Sequence, residues 1–205
     1  MSISRQAAIV LLGTLVVALQ ACQRPVLAPT DYMRWVQDPV HGLVQDRVFP
    51  KLALRLQYRP NEQVILARHG PGITRQELDQ ESREQQGCYQ FNLQLRSLQG
   101  GDALAADASN EDDYYHRLFY FTSEVENDLS LIVGGDTLPC ALAHFERTYG
   151  AAPFNDLVVS FVDQSGGTAS SDITFLYNDR AYGLGPVSFT IKRGDLRKIP
   201  AIKLS

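Results

Sequence analysis

The side chains with chemical potential in this chain are few and far apart. Cysteines stand at Cys22, Cys88 and Cys140, and histidines at His41, His69, His116 and His144. No HExxH, HxH or paired Cys/His spacing joins them, so no metal site is assigned. The nearest approach is Asp112, Asp113 and His116, which would share a helix face. The simpler reading makes those acids the first turn of a helix capped by Asn110, where the helix dipole favours negative charge. Neither GxSxG nor SxxK marks a nucleophile. A triad assembled in space leaves no such trace and stays open. The GxG of YGLGPV runs into Pro186 and strand-like residues rather than a helix, which argues against a phosphate cradle. DQSGGTASSD, Asp163 to Asp172, offers carboxylates and hydroxyls to calcium, but its spacing fits no EF-hand. It reads as a hairpin connection. The catalytic residues are therefore unknown from sequence, and no cofactor and no metal are expected.

Cys22 differs from the other two cysteines in its setting. It follows the nearly uncharged stretch Ala7 to Ala21, densest in apolar residues from Ile9 to Leu19. A membrane-crossing helix needs about 20 apolar residues, and this run falls short. Arg5 and the amino terminus precede it, which gives the charged, apolar, cleaved order of an export signal. Cleavage after Ala21 would place bulky Leu19 at −3. Cleavage after Ala18 would place Val16 and Ala18 at the recognised positions. Plain secretion and an uncleaved anchor therefore remain alternatives.

Leu19-Gln20-Ala21-Cys22 resembles a bacterial lipobox: a Leu three before the cysteine and a small residue just before it, with Gln20 departing from the usual small or β-branched residue. The resemblance covers the first 22 residues. It implies a lipoprotein signal peptide over 1–21, a diacylglyceryl group on the Cys22 sulfur, and a further acyl chain such as palmitate on its amine. Each buried methylene contributes about 0.8 kcal/mol, so one chain holds reversibly and two or more hold firmly. Residues 22–30, with two prolines, are expected to form a tether. Gln23 is not the aspartate of an inner-membrane retention signal, which favours the outer membrane.

With Cys22 taken by lipid, Cys88 and Cys140 remain, and an oxidising compartment permits a disulfide between them. Closing that loop of about 52 residues would stabilise by roughly 4 kcal/mol in the chain-entropy model. Two separate buried thiols are the alternative.

The rest of the chain, 31–205, reads as one globular domain. Its composition is ordinary, with 44% hydrophobic and 20% charged residues. The formal net charge is −4, or −5 once Arg5 leaves with the signal. Basic residues are spread without a run, so no nucleic-acid partner is expected. DYMRWV (31–36) predicts a short helix capped by Thr30 or Asp31, with Trp35 in the core. KLALRLQYR (51–59) alternates as a half-buried strand, and PNEQVILAR opens a helix ended by HGPG. Thr74 to Glu77 is a capping box opening a polar outer helix to about Gln86, and CYQFNLQLRSL alternates again. Tyr114, Tyr115, Leu118, Phe119 and Phe121 are placed on one face of a helix, or on a strand. GGDT (134–137) predicts a hairpin, and Pro139 an edge or a bulge. Leu157 to Val162 reads as a central strand; 173–177 and 187–191 alternate, and the ending holds one helical turn. Strands follow one another without regular helical crossovers. The fold class is α+β: a mostly antiparallel β-sheet, sandwich-like or half-barrel, with two or three helices.

WVQDPVHGL, YGLGPVSFTI and the late KIP are similar to an uncharacterised family of bacterial envelope lipoproteins. That resemblance implies no activity and assigns no site residues. The expected function is that of an envelope lipoprotein held to the membrane through Cys22, a non-enzymatic binding or structural module with an envelope protein as partner. The alternatives are an envelope hydrolase with a dispersed active site and a binder of a soluble ligand or ion.

Overall fold

The computed structural model describes residues 24–149, 151–165 and 171–204. Residues 1–21, the expected signal segment, and Cys22 lie outside them. Ten strands are described: β1 (Val26–Leu27), β2 (Val44–Val48), β3 (Leu52–Arg59), β4 (Cys88–Ser97), β5 (Leu129–Val133), β6 (Asp136–Glu146), β7 (Phe154–Val162), β8 (Ile173–Asp179), β9 (Gly185–Ile191) and β10 (Ala201–Ile202). Five α-helices accompany them, not two or three: α1 (Pro29–Gln37), α2 (Asn61–His69), α3 (Arg75–Glu84), α4 (Glu111–Ser123) and the single turn α5 (Arg193–Leu196). The fold is α+β.

Strands β2 to β9 form one antiparallel sheet in the order β2-β3-β4-β7-β6-β5-β8-β9. Alternation in the sequence becomes alternation of burial. Leu54 and Leu56 of β3 point inward with Phe91, Leu93 and Leu95 of β4, and all are fully buried. β6 is shared lengthwise. Asp136 to Pro139 pairs with β5, whereas Cys140 to Glu146 pairs with β7, and the register slips between Cys140 and Leu142. Pro139 thus stands just before a bulge in an internal strand, not at a sheet edge. A bulge bends and twists its strand, so the two halves of the sheet fold toward one another and share one core. Phe91 of β4 and Phe161 of β7 meet Phe175 of β8 at ring-centroid distances of 5.2 and 5.8 Å.

The outer strands of the curled sheet nearly meet. The Gln45 side chain on β2 donates to the Thr190 carbonyl on β9 at 2.6 Å, and the Arg47 guanidinium lies over the Phe189 ring at 4.9 Å. Side chains bridge this seam where no strand ladder forms, which makes the sheet a nearly closed barrel. β7 and β8 are not neighbours in the sheet, so 163–172 is not the connection of a hairpin.

The helices follow their local signals. Thr74 and Glu77 form the capping box of α3, and only Leu78 of that helix is buried. Pro60 caps α2, and Gly70 ends it with φ +76°. Asn110 accepts from the Asp113 amide at 2.9 Å and starts α4. Gly134 and Gly135 both take positive φ in the β5–β6 hairpin, as a turn matched to strand twist requires. The inner face of α4 is not the expected one. Tyr114, Leu118 and Phe121 turn inward, while Tyr115 and Phe119 are exposed. Tyr32 and Val36 of α1 are buried, and Trp35 packs against the core and stacks on His41 with ring centroids 3.9 Å apart.

The expected tether is shorter than 22–30. Val26 and Leu27 already pair in parallel with Ala201 and Ile202. The Ala201 amide donates to the Pro25 carbonyl at 2.9 Å and the Lys203 amide to the Leu27 carbonyl at 2.7 Å. Helix α1 then starts at Pro29, whose missing N–H is harmless in a first turn.

Candidate functional site

The two thiols expected as a disulfide pair are both free. Cys88 opens β4 opposite Val162, and Cys140 lies on β6 opposite Phe161, so β7 runs between them. Two strand spacings amount to about 9.5 Å, beyond the roughly 7 Å Cα limit for a bridge. The structure does not bring them together. Burial pushes the Cys140 thiol up to about 11, away from the reactive thiolate form.

The histidines are dispersed. His41 stacks on Trp35, His69 meets Glu81 at 2.7 Å, His144 lies exposed on β6, and His116 is exposed on α4. Among the described residues no group of three or more His, Cys, Asp or Glu side chains is placed to hold a metal ion. Asp113 serves the helix start, accepting from the Ser109 amide at 2.8 Å. The acids of the 163–172 loop are likewise engaged. Asp163 accepts from the Ser165 amide and hydroxyl, and Asp172 from the Arg193 amide at 2.9 Å and the Lys192 ammonium at 3.0 Å. These bonds hold both carboxyls below their usual range, chiefly the Ser165 hydroxyl for Asp163 and the Arg193 amide for Asp172. Residues 166–170 of that loop lie outside the described residues.

Two concavities gather polar side chains. The first, about 440 Å³, lies along α4 and includes Ser109, Asp113, His116, Arg117 and Arg180. No hydrogen bond links His116 to Ser109 or Asp113 among the described residues. Its cations are already used. Arg117 donates to the carbonyls of Leu104, Ala106 and Ala181, and Arg180 binds Asp128 at 2.6 Å. Those bonds fasten α4 and the β8–β9 turn to the barrel, which is a structural task.

The second is a groove at the β1–β10 end, formed by adjoining cavities of about 680 and 350 Å³ that share Arg24, Glu62, Ser82 and Ile199. The starts of α2 and β4 form one wall, α3 another, and the 193–202 segment closes it. Its arginines come from both ends and the middle of the chain: Arg24, Arg75, Arg83, Arg193 and Arg197. Only Glu62 and Asp79 oppose them in the lining. Sequence reasoning found none of these five. They are separated by up to 173 positions, and only the pairing of β1 with β10 brings Arg24 beside Arg197.

Comparison with known proteins shows no family for the chain. No family model matches it, and no curated protein does. Among solved structures, the crystal structure of a DUF4426 family protein from Pseudomonas aeruginosa PAO1 is similar with a TM-score of 0.33 and 11% identity, over 74% of this chain and 93% of that one. At that level the likeness is weak and defines neither a shared fold nor an activity. No helix among the described residues is long and apolar enough to cross a membrane.

Proposed function

We propose that this chain is an envelope lipoprotein, lipidated at Cys22 and anchored to a membrane, whose β-rich body acts as a non-enzymatic binding or structural module. The supporting observation is Leu19-Gln20-Ala21-Cys22 at the end of an apolar run, four residues before Val26 enters the body's hydrogen bonding. A fully extended chain spans at most about 3.5 Å per residue, so four residues reach roughly 14 Å. A lipid on Cys22 therefore holds the β1–β10 end of the body against the bilayer, without a long stalk. Gln23 in place of an inner-membrane aspartate favours the outer membrane. An envelope protein is the natural partner for the faces turned away from the lipid.

Fractionation of cells expressing the wild-type chain and Cys22→Ser tests this reading. The wild type is expected in the membrane fraction and to resist a high-salt wash. Cys22→Ser is expected to lose its detergent-like partitioning. Cross-linking in intact cells should capture an envelope protein with the wild type only. Capture of no partner, together with turnover of an envelope polymer by the purified protein, would replace the binding module with a hydrolase.

A further inference from the structure

We propose that the arginine groove at the β1–β10 end binds the headgroup of an anionic glycerophospholipid. The proposal rests on the anchor reading for the lipid's proximity, and on the groove itself for the chemistry. Four guanidinium groups there, Arg24, Arg83, Arg193 and Arg197, make no ion pair among the described residues. Arg75 is occupied by Asp79 at 3.6 Å and by the Ile202 carbonyl. Such a concentration of unpaired positive charge stands out in a chain whose formal net charge is −4. Guanidinium groups match phosphate oxygens through paired N–H donors.

Two further features narrow the ligand. Ser82 Oγ and Asn61 Oδ1 line the groove, are shielded from water and have no hydrogen-bond partner. The Asn61 amide donates to the Gln85 carbonyl at 2.8 Å, which fixes its oxygen as the open acceptor. Both oxygens lie under the groove wall, so a ligand reaches them only when the Ser82 and Asn61 side chains turn toward it; it then offers an oxyanion to the serine hydroxyl and a hydroxyl to the asparagine oxygen. Leu196 and Ile199, both partly buried, line the same groove and offer an apolar contact to the glycerol backbone and the first methylenes of an acyl chain. A phosphodiester with a hydroxylated head and a hydrocarbon tail, as in phosphatidylglycerol, meets all three demands. Arg24 is two residues from Cys22, within about 7 Å of extended chain. An acylated Cys22 therefore sets the groove at the depth where lipid phosphates lie.

Thermal unfolding of the full chain in neutral detergent micelles tests the groove apart from the anchor. The probes are dihexanoyl phosphatidylglycerol, dihexanoyl phosphatidylcholine and sodium phosphate, at matched concentrations and low salt. Phosphatidylglycerol is expected to raise the melting temperature saturably, by about 5 to 10 °C at a hundredfold excess over its dissociation constant. The other two probes should leave it unmoved. Added salt should weaken the effect. The exposed pair Arg193→Gln and Arg197→Gln should abolish the rise while leaving the unliganded melt in place, and Arg24→Gln alone should weaken it several-fold should the pair prove unstable. An equal rise with phosphatidylcholine would mean apolar partition, and an equal rise with phosphate a site for a soluble anion; either overturns the proposal, as does no rise at all. Cys22→Ser should respond as the wild type does, because the groove needs no anchor to bind. Its failure to fractionate with membranes, or its success, speaks only to the anchor.

Discussion

Asp179, a residue only 4% exposed, ends β8 and organises the turn that follows. It accepts from the Tyr177 hydroxyl at 2.6 Å and from the amides of Ala181, Tyr182 and Leu184 at 3.2, 3.0 and 2.8 Å. Asp179→Ala leaves those donors without their acceptor, and an orphaned buried donor costs more than the bond was worth. A loss of about 3 kcal/mol is expected in chemical denaturation. Tyr32 presents the opposite case. Its side chain is fully buried and its hydroxyl has no partner among the described residues. Tyr32→Phe is expected to keep or raise stability, by up to about 1 kcal/mol, in the same assay. Burial first, then nearby Glu62 for Tyr32 and Asp179 for Tyr177, pushes both phenols far above their ordinary range. The folded state thus keeps protons that the unfolded chain releases above about pH 10. Stability is complete below that pH and falls as pH rises beyond it. The part of the tyrosinate absorbance that Tyr32→Phe removes should therefore appear together with loss of near-ultraviolet dichroism, not before it. None of these pairings was legible in the sequence, because Asp179 is local to its turn only once β8 and β9 are paired.

Strands β3 and β4 and helix α3 show what local pattern conveys. Alternation in KLALRLQYR and CYQFNLQLRSL identified the inward residues, because a pleated strand has one geometry and a two-residue period. Thr74 and Glu77 marked a helix start that the structure reproduces bond for bond. Helix α4 shows the limit. Five aromatic and apolar side chains suggested one face, yet the turn of 3.6 residues sends Tyr115 and Phe119 outward while Arg117 turns in to fasten two loops. The cysteines illustrate the same boundary. Loop arithmetic allowed Cys88 to reach Cys140; the insertion of β7 between β4 and β6 forbids it in this fold. Alkylation settles the matter directly. Both thiols should label in denaturant without any reductant, and Cys140 should label slowly in the native protein because burial keeps it protonated. Labelling that appears only after reduction would show a bridge and a different strand order.

At the scale of the molecule, strand order turns a meander of hairpins into a nearly closed barrel. The α+β class was readable because strands outnumber helices and lack regular crossovers between them. A bulge at Pro139 was one of two readings the sequence left open, but the sharing of β6 between two partners and the seam from Gln45 to Thr190 were not readable, since they depend on which distant strands pair. The arginine groove belongs here too. Basic residues that look evenly dispersed along the chain converge where β1 pairs with β10, at the end from which Cys22 is four residues away. Attachment and groove would then face the same bilayer, which gives the short link a physical purpose: it limits how far the body can rotate from the lipid surface. The account stands on that attachment. Intact-mass and N-terminal peptide analysis of the protein extracted from membranes tests it most directly. The prediction is a chain starting at Cys22 whose sulfur carries a diacylglycerol mass, removable with the N-terminal peptide. A first residue elsewhere, or an unmodified Cys22 in the membrane-bound protein, would contradict it.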